Sequence, residues 1–500
     1  MGMLSTLVGS RLPAKYQRFF RLPAREPSWK PVDTADTVLG RAVAKWFRAN
    51  DAPAAVYRLN LGREALEARL GLIDNAERSI DIQSYLIKDD VSGNLVALHL
   101  AAAADRGVRV RLLMDDALTS EIDSGLLSLS GHVNIQVRVF NPFPRRRSRL
   151  ISLIANFNIL NRRMHNKSFT VDNQVTIVGG RNIADEYFHQ GGASEFIDED
   201  LFAIGPVVDD VSDGFDEYWN SSEAIPIEVF GNLVAHMGVD DFIEAGRRYV
   251  ERFRESDFLR AIDGALVERF LGGNLDLVGA HATVIQDRPD KIRNLLRWRT
   301  SIISEYLQQM VSSAERELIV ISPYFVPQKQ GVEFFGALVK AGVRVVIISN
   351  SLASTNHTSV HAVYARYRRP LLRRGVELFE LRPHVGGTET TILTLHSKVA
   401  TVDRRKLFVG SFNLDPRSLY LNTEMGMTVE SEELAGKMAD DIYASLPEFA
   451  YRLELSRKGK LQWLLRAGGV TEIITTEPQT TVWRRFKTRL MSFLPIEGQM

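Results

Sequence analysis

His165-Asn-Lys167-Ser-Phe-Thr-Val-Asp172 and His396-Ser-Lys398-Val-Ala-Thr-Val-Asp403 stand 231 residues apart and share one polar frame. In each copy a glycine follows 14 residues after the histidine (Gly179, Gly410), and an asparagine 17 residues after it (Asn182, Asn413). Histidine and lysine at i and i+2 project from the same face of a strand. Asp172 is followed by Asn173 and Asp403 by Arg404-Arg405, so both read as hairpin turns closing a β-branched, apolar run. The return strands, 175–178 and 406–409, lead back to Gly179 and Gly410. That fold-back predicts Asn182 close to His165 and Asn413 close to His396. Each aspartate then lies at the far end of its hairpin, as a turn and orienting residue. A repeated His, Lys and Asn set predicts one site built from two halves and made for a phosphate.

A phosphodiester repels incoming nucleophiles, and its leaving alkoxide needs a proton. One neutral imidazole can attack phosphorus while a second, as imidazolium, protonates the departing oxygen. The candidate catalytic set is therefore His165, Lys167, Asp172, His396, Lys398 and Asp403, with hydrolytic or transfer work falling to the histidines. Lys167, Lys398, Asn182 and Asn413 are expected to hold the non-bridging oxygens as charge builds on them. With lysines supplying positive charge, the scheme asks for no cofactor and no metal. His357 and His361 stand at i and i+4, but no H-E-x-x-H motif surrounds them.

Duplication extends beyond these motifs. Gly107-Val-Arg-Val-Arg-Leu-Leu-Met-Asp-Asp116 parallels Gly342-Val-Arg-Val-Val-Ile-Ile-Ser-Asn-Ser351, and Ser79-Ile-Asp-Ile-Gln-Ser-Tyr-Leu86 parallels Leu318-Ile-Val-Ile-Ser-Pro-Tyr-Phe325. Within each half a helical stretch, 95–106 or 332–341, lies between the two strand segments. Strand, helix and strand of this kind predict a right-handed βαβ crossover. The expected class is α/β: two similar halves, each a mixed, mostly parallel sheet flanked by helices, with one active site at their interface. Expected boundaries are an N-terminal arm 1–60, a first half 61–235, a helical linker 236–300, a second half 301–455 and a tail 456–500.

These residues resemble the phospholipase D superfamily, whose members carry paired H-x-K-x4-D motifs followed by G-S-x-N. A finer similarity is to bacterial cardiolipin synthases of the C type, through Asn161-Arg-Arg-Met-His-Asn-Lys167, Gly179-Gly-Arg-Asn-Ile-Ala-Asp-Glu-Tyr187, Gly410-Ser-Phe-Asn-Leu-Asp-Pro-Arg-Ser418 and a Leu494-Pro-Ile-Glu497 ending. The resemblance covers roughly residues 60 to 450. It implies His165 as nucleophile, His396 as general acid and a phosphohistidine intermediate. Gly180 stands where the second half has Ser411, so a serine hydroxyl contact to phosphate is available from Ser411 alone. Glu424, 11 residues after Asn413, matches the family's histidine-orienting acid. Asp198 precedes Gly205 by seven residues as Glu424 precedes Ser431, which makes Asp198 its counterpart and Asp200 the alternative. The implied activity is a cardiolipin synthase-type phosphatidyl transfer, with phosphatidylglycerol as acceptor and phosphatidylglycerol or phosphatidylethanolamine as donor. A phospholipase D hydrolase is the alternative, and a phosphodiesterase or nuclease a further one.

Composition bears on these choices. The 500 residues are 45% hydrophobic and 25% charged, and suit two domains rather than one. Net charge is +1, which offers no bulk attraction to nucleic acid, so none is expected as a partner. There is no cysteine, hence no disulfide and no thiolate metal site. No run of 18 apolar residues and no basic, apolar leader occur, so neither a spanning helix nor a signal peptide is expected. Arg145-Arg-Arg-Ser-Arg149 followed by apolar 150–160 and Arg162-Arg163 reads either as a core helix or as a segment lying among lipid headgroups. The basic and aromatic residues of 15–21 and 483–493 repeat that mixture. Phospholipid substrates and a peripheral place on the bacterial inner membrane are the resulting expectations.

Overall fold

The computed structural model describes residues 26–493 except 118, 120–121, 144–160, 190–193, 231–235, 261, 263, 294–300, 386–390 and 468–469. The arginine-flanked apolar segment, the basic residues of 15–21 and the Leu494–Glu497 ending fall outside the described residues.

Ten strands form in the first part of the chain: β1 (Ala54–Leu59), β2 (Ser79–Ser84), β3 (Arg109–Asp115), β4 (Ile135–Phe140), β5 (Ser168–Val171), β6 (Val175–Gly179), β7 (Ser194–Ile197), β8 (Asp200–Ile204), β9 (Ala224–Pro226) and β10 (Val278–Gln286). Ten follow: β11 (Glu317–Ile321), β12 (Arg344–Asn350), β13 (Glu377–Leu381), β14 (Ile392–Leu395), β15 (Val399–Val402), β16 (Lys406–Gly410), β17 (Met425–Glu430), β18 (Ala450–Leu455), β19 (Leu461–Ala467) and β20 (Val470–Ile474). The chain divides into two compact units that do not follow the sequence halves strictly. One holds the described residues numbered up to 190, 200–298 and 421–425; the other holds those numbered 191–199, 299–420 and 426 onward.

In the first unit the sheet runs β10-β1-β8-β6-β5-β2-β3-β4-β9. Its parallel part is β2-β3-β4, and every other pairing is antiparallel. β2 is buried along its whole length, as a strand covered on both faces should be. The crossover helix Val91–Asp105 begins four residues earlier than its apolar periodicity suggests, because the Asp90 carboxylate accepts from Gly93 N and caps it. It ends at Gly107, whose φ of 93° lets Val108 turn directly into β3. Leu113, Phe140, Met164, Phe215, Tyr218 and Trp219 pack into one fully buried cluster beneath the sheet.

The second unit repeats the plan. Its sheet runs β17-β16-β15-β11-β12-β13-β18-β19-β20, with β11-β12-β13 parallel. Gly342 (φ 96°) ends its crossover helix Gln328–Lys340 as Gly107 does in the first unit. β8-β6-β5-β2-β3-β4-β9 and β17-β16-β15-β11-β12-β13-β18 are the same seven-strand order. The mostly parallel sheet expected from the βαβ pattern is thus parallel only at its three-strand centre, because the histidine hairpins and closing strands add antiparallel neighbours on both sides. Segments 236–300 and 456–500 also hold β10, β19 and β20, which extend the two sheets at opposite ends of the shared order. The second unit contains one further ladder, β7 parallel to β14.

Candidate active site

The two histidines are positioned by one device used twice. In the first unit, Met164 is fully buried in the core cluster, and its N–H donates to Asp115 Oδ2 at 2.8 Å. Asp115 also pairs with Arg163 at 3.2 Å, and burial pushes its carboxyl above the ordinary range. Met164 forms a parallel bridge with Thr423, and the flanking bonds are His165 N to Thr423 O and Thr423 N to Arg163 O, both 2.9 Å. In parallel register the next residues are neighbours, and the next residues are His165 and Glu424. His165 Nδ1 meets Glu424 Oε2 at 2.8 Å. A carboxylate only accepts, so Nδ1 carries the proton and Nε2 is left as the reacting nitrogen.

In the second unit the ladder between β7 and β14 ends on Ile197 opposite Leu395. His396 N donates to Ile197 O at 2.8 Å, and one residue on, His396 Nδ1 meets Asp198 Oδ2 at 2.6 Å. Each histidine is therefore oriented by a carboxylate from the other sequence half. Both acids are inaccessible to solvent or nearly so. Asp200, the alternative candidate, lies elsewhere: its carboxylate is held by Arg69 at 2.9 Å and Arg181 at 3.4 Å.

Both lysines are buried, and each donates from Nζ to the carbonyl of its own histidine, Lys167 at 2.8 Å from His165 O. Lys398 Nζ also lies 2.9 Å from His396 Nδ1 and 3.3 Å from Nε2. Around the rings the units differ. Tyr85 meets His165 edge-on at 5.1 Å, while Phe196 stacks on His396 at 5.3 Å with 14° between planes. Tyr324, the counterpart of Tyr85 in the internal repeat, packs instead on His357.

Asn182 and Asn413 lie just past the hairpins, and both are buried with Oδ1 unpartnered. Asn182 Nδ2 lies 2.7 Å from the Tyr187 hydroxyl. With the amide turned over, that hydroxyl donates to Oδ1 and Nδ2 becomes a donor for an anion. Ser411 is fully buried beside Gly410.

Asp172 and Asp403 sit at the far ends of their hairpins. Positive φ at Asp172 (52°) and Asn173 (51°), and at Asp403 (52°) and Arg404 (57°), gives the tight turn that suits strand twist. The Asp172 carboxylate accepts from the backbone N–H of Glu77, Arg78 and Ser79 at 2.7–3.0 Å. That of Asp403 accepts from Glu315, Arg316 and Glu317 at 2.7–2.9 Å. Each thereby ties its hairpin to the start of the central strand. Burial pushes Asp172 above its ordinary value despite those three donors. Asp403 is less buried; burial raises it only partly, and the donors hold it below the ordinary value.

Sequence reasoning missed three supports: Tyr85, Phe196 and Asp287. Asp287 N donates to Glu424 O at 2.9 Å and its Oδ2 accepts from Glu424 N at 3.2 Å, with Lys291 paired to it at 2.8 Å. The i, i+4 spacing of Asp287 and Lys291 was the one local signal for that cradle. His361 is buried in the helix Thr358–Tyr364, where burial pushes it down to about 3 and keeps it neutral. Among the described residues no three His, Asp or Glu side chains are arranged to hold a metal ion.

Several known proteins are similar to this chain. A family model described as cardiolipin synthase, phospholipase D-like domain, matches residues 70–219 and 307–444, more than half of the chain. Cardiolipin synthase C of Escherichia coli (strain K12) is 40% identical over 469 residues, covering 92% of this chain and 99% of that protein. An uncharacterized protein of Helicobacter pylori (strain J99) is 32% identical over 442 residues, covering 86% of this chain and 84% of its own. Among solved structures, phosphatidylserine synthase of Haemophilus influenzae Rd KW20 aligns with a TM-score of 0.57 at 12% identity, over 92% of this chain and 100% of that one. At that identity the likeness concerns the fold alone.

Proposed function

The chain belongs to the phospholipase D-like family of cardiolipin synthases, and on that premise we propose that it moves a phosphatidyl group from one phospholipid to a hydroxyl of another, making cardiolipin. The acceptor is phosphatidylglycerol, and the donor phosphatidylglycerol or phosphatidylethanolamine. One observation carries the mechanism: each of two duplicated histidines has Nδ1 fixed by a buried carboxylate, at 2.8 and 2.6 Å, leaving two Nε2 atoms for chemistry.

Both act on one phosphorus. His165 Nε2 attacks, its lone pair forming a P–N bond while the P–O bond to the leaving alcohol breaks. His396, as imidazolium, gives its Nε2 proton to that oxygen. The second step runs in reverse: neutral His396 takes the proton of the incoming hydroxyl, its oxygen attacks phosphorus, and the P–N bond breaks to restore His165. Glu424 and Asp198 offset the positive charge on each ring as it forms. Lys167, Lys398, Asn182, Asn413 and Ser411 hold the non-bridging oxygens, as ammonium, amide and hydroxyl donors should. The enzyme works at the inner membrane of a bacterium as a peripheral protein; no described helix is long and apolar enough to cross a bilayer.

Mass spectrometry of lipids after incubation with phosphatidylglycerol, with and without phosphatidylethanolamine, tests the proposal. Cardiolipin together with the released head alcohol is the expected result. Phosphatidic acid as the main product would replace transfer by hydrolysis, and unchanged lipid would overturn the reading.

A further inference from the structure

Among the described residues, half of the large apolar side chains that face solvent fall between Val470 and Phe493. Five of them belong to the C-terminal helix Val482–Met491 and the second residue beyond it: Val482 (74% exposed), Trp483 (71%), Phe486 (57%), Leu490 (61%) and Phe493 (75%). At 100° per residue they share one stripe spanning about 100° of the circumference. Lys487 and Arg489 border the stripe on either side.

The helix is nonetheless fastened to its unit by the opposite face. Thr488 is buried, the Thr481 hydroxyl caps Arg484 N at 3.1 Å, and Arg484 Nη2 donates to Thr355 O at 3.0 Å. Arg366 donates to Ser492 O at the other end. Fixing the polar face and leaving Trp, Phe and Leu in water is the reverse of what core packing selects. Trp483 and Phe486 stack on each other at 5.7 Å, so the exposed stripe is a single contiguous surface.

Beside the helix lies a cavity of about 660 Å³ whose lining includes Arg366, Arg369, Lys460, Arg485 and Arg489. Its acid, Glu477, is held by Arg368 at 2.5 Å, so the lining presents net positive charge. A stripe of aromatic and aliphatic side chains rimmed by cations matches the boundary where acyl chains meet anionic headgroups.

We propose that this helix and cavity form the surface by which the chain docks on an anionic phospholipid bilayer, the stripe entering among acyl chains and the arginines holding lipid phosphates. The proposal rests on the reading of the chain as an enzyme of membrane phospholipids, but its test reads binding and not turnover. Flotation of the full chain with vesicles of phosphatidylcholine, alone or enriched in phosphatidylglycerol, is the measurement. The protein is expected to float with the enriched vesicles and to be released by salt. Trp483→Ser with Phe486→Ser should lower the bound fraction about tenfold or more without moving the melting temperature, since both side chains face solvent. Arg369→Gln with Arg489→Gln should abolish the preference for phosphatidylglycerol. His165→Ala protein should float like the unaltered chain, so a failure of transfer and a failure of docking are told apart. Absence of flotation by the unaltered chain, or flotation undiminished in the aromatic variant, would overturn the proposal. So would self-association through the stripe, seen as a dimer that Trp483→Ser disperses.

Discussion

His165 and His396 occupy equivalent positions in duplicated units, yet the two are held differently. His396 follows a four-residue parallel ladder, and a short acid, Asp198, reaches it at 2.6 Å. His165 follows a single bridge, Met164 to Thr423, and a longer acid, Glu424, reaches it at 2.8 Å with its backbone clasped by Asp287. Ladder length and side-chain length compensate: where fewer backbone bonds fix the segment, a buried carboxylate from a third segment fixes it. The rings' neighbours diverge as well, a tyrosine edge at His165 and a phenylalanine face with an ammonium at His396. The repeated frame orients both imidazoles through Nδ1, and what differs between the units is the surroundings of each ring.

The largest effects should come from removing either ring. His165→Ala and His396→Ala should each lower transfer by about 10³-fold or more, and the double variant should fall no further, as for groups that act as a unit. Losses that multiply would separate the two units functionally. Next come the acids. Glu424→Gln and Asp198→Asn keep size and release the tautomer, and each should lower kcat by about 10²–10⁴-fold with little change in KM. Asp287→Ala should lower kcat less than Glu424→Gln, because it loosens the acid without removing it. Equal losses from Asp287→Ala and Glu424→Gln would mean that Asp287 does more than support Glu424.

Stability separates the two turn aspartates. Asp172→Ala leaves backbone donors without a partner in a buried place and should cost on the order of 3 kcal/mol, against about 1 kcal/mol for Asp403→Ala, where water replaces the carboxylate. Thermal melts of both variants check this ranking. The smallest effect is in pH dependence. Asp172 is raised on folding, so its contribution is present below the ordinary value of 3.8 and is lost as pH rises through its folded value. Asp403 is lowered, so its contribution is present above 3.8 and is lost as pH falls through its folded value. Melting curves of Asp172→Asn and Asp403→Asn across acid pH should therefore diverge from the unaltered chain in opposite directions.

Much of this was legible in the chain because the informative signals are local. H-x-K on a strand, a turn after the aspartate, and glycine at the end of each crossover helix all depend on neighbours in sequence. The seven-residue spacing pointed to Asp198, and Asp198 is the carboxylate against His396. What stayed hidden is non-local. Nothing near His165 announces that its acid is Glu424, since that pairing is set by a parallel bridge between residues 259 apart. Asp287 acts through the backbone of Glu424, and its one local trace in the sequence is the i, i+4 spacing to Lys291. The antiparallel additions to each sheet were equally silent: β10 lies within a segment that reads as helical, and β19 and β20 within one that reads as tail.

The proposed mechanism gives the two histidines distinct duties toward one phosphorus. The most direct measurement is acid-free quenching of the protein during turnover of phosphatidylglycerol, followed by mass spectrometry of its peptides. A phosphatidyl adduct on the peptide bearing His165, and none on the peptide bearing His396, is the predicted result. An adduct on neither peptide while cardiolipin accumulates, or one on His396 that survives in His165→Ala protein, would contradict it.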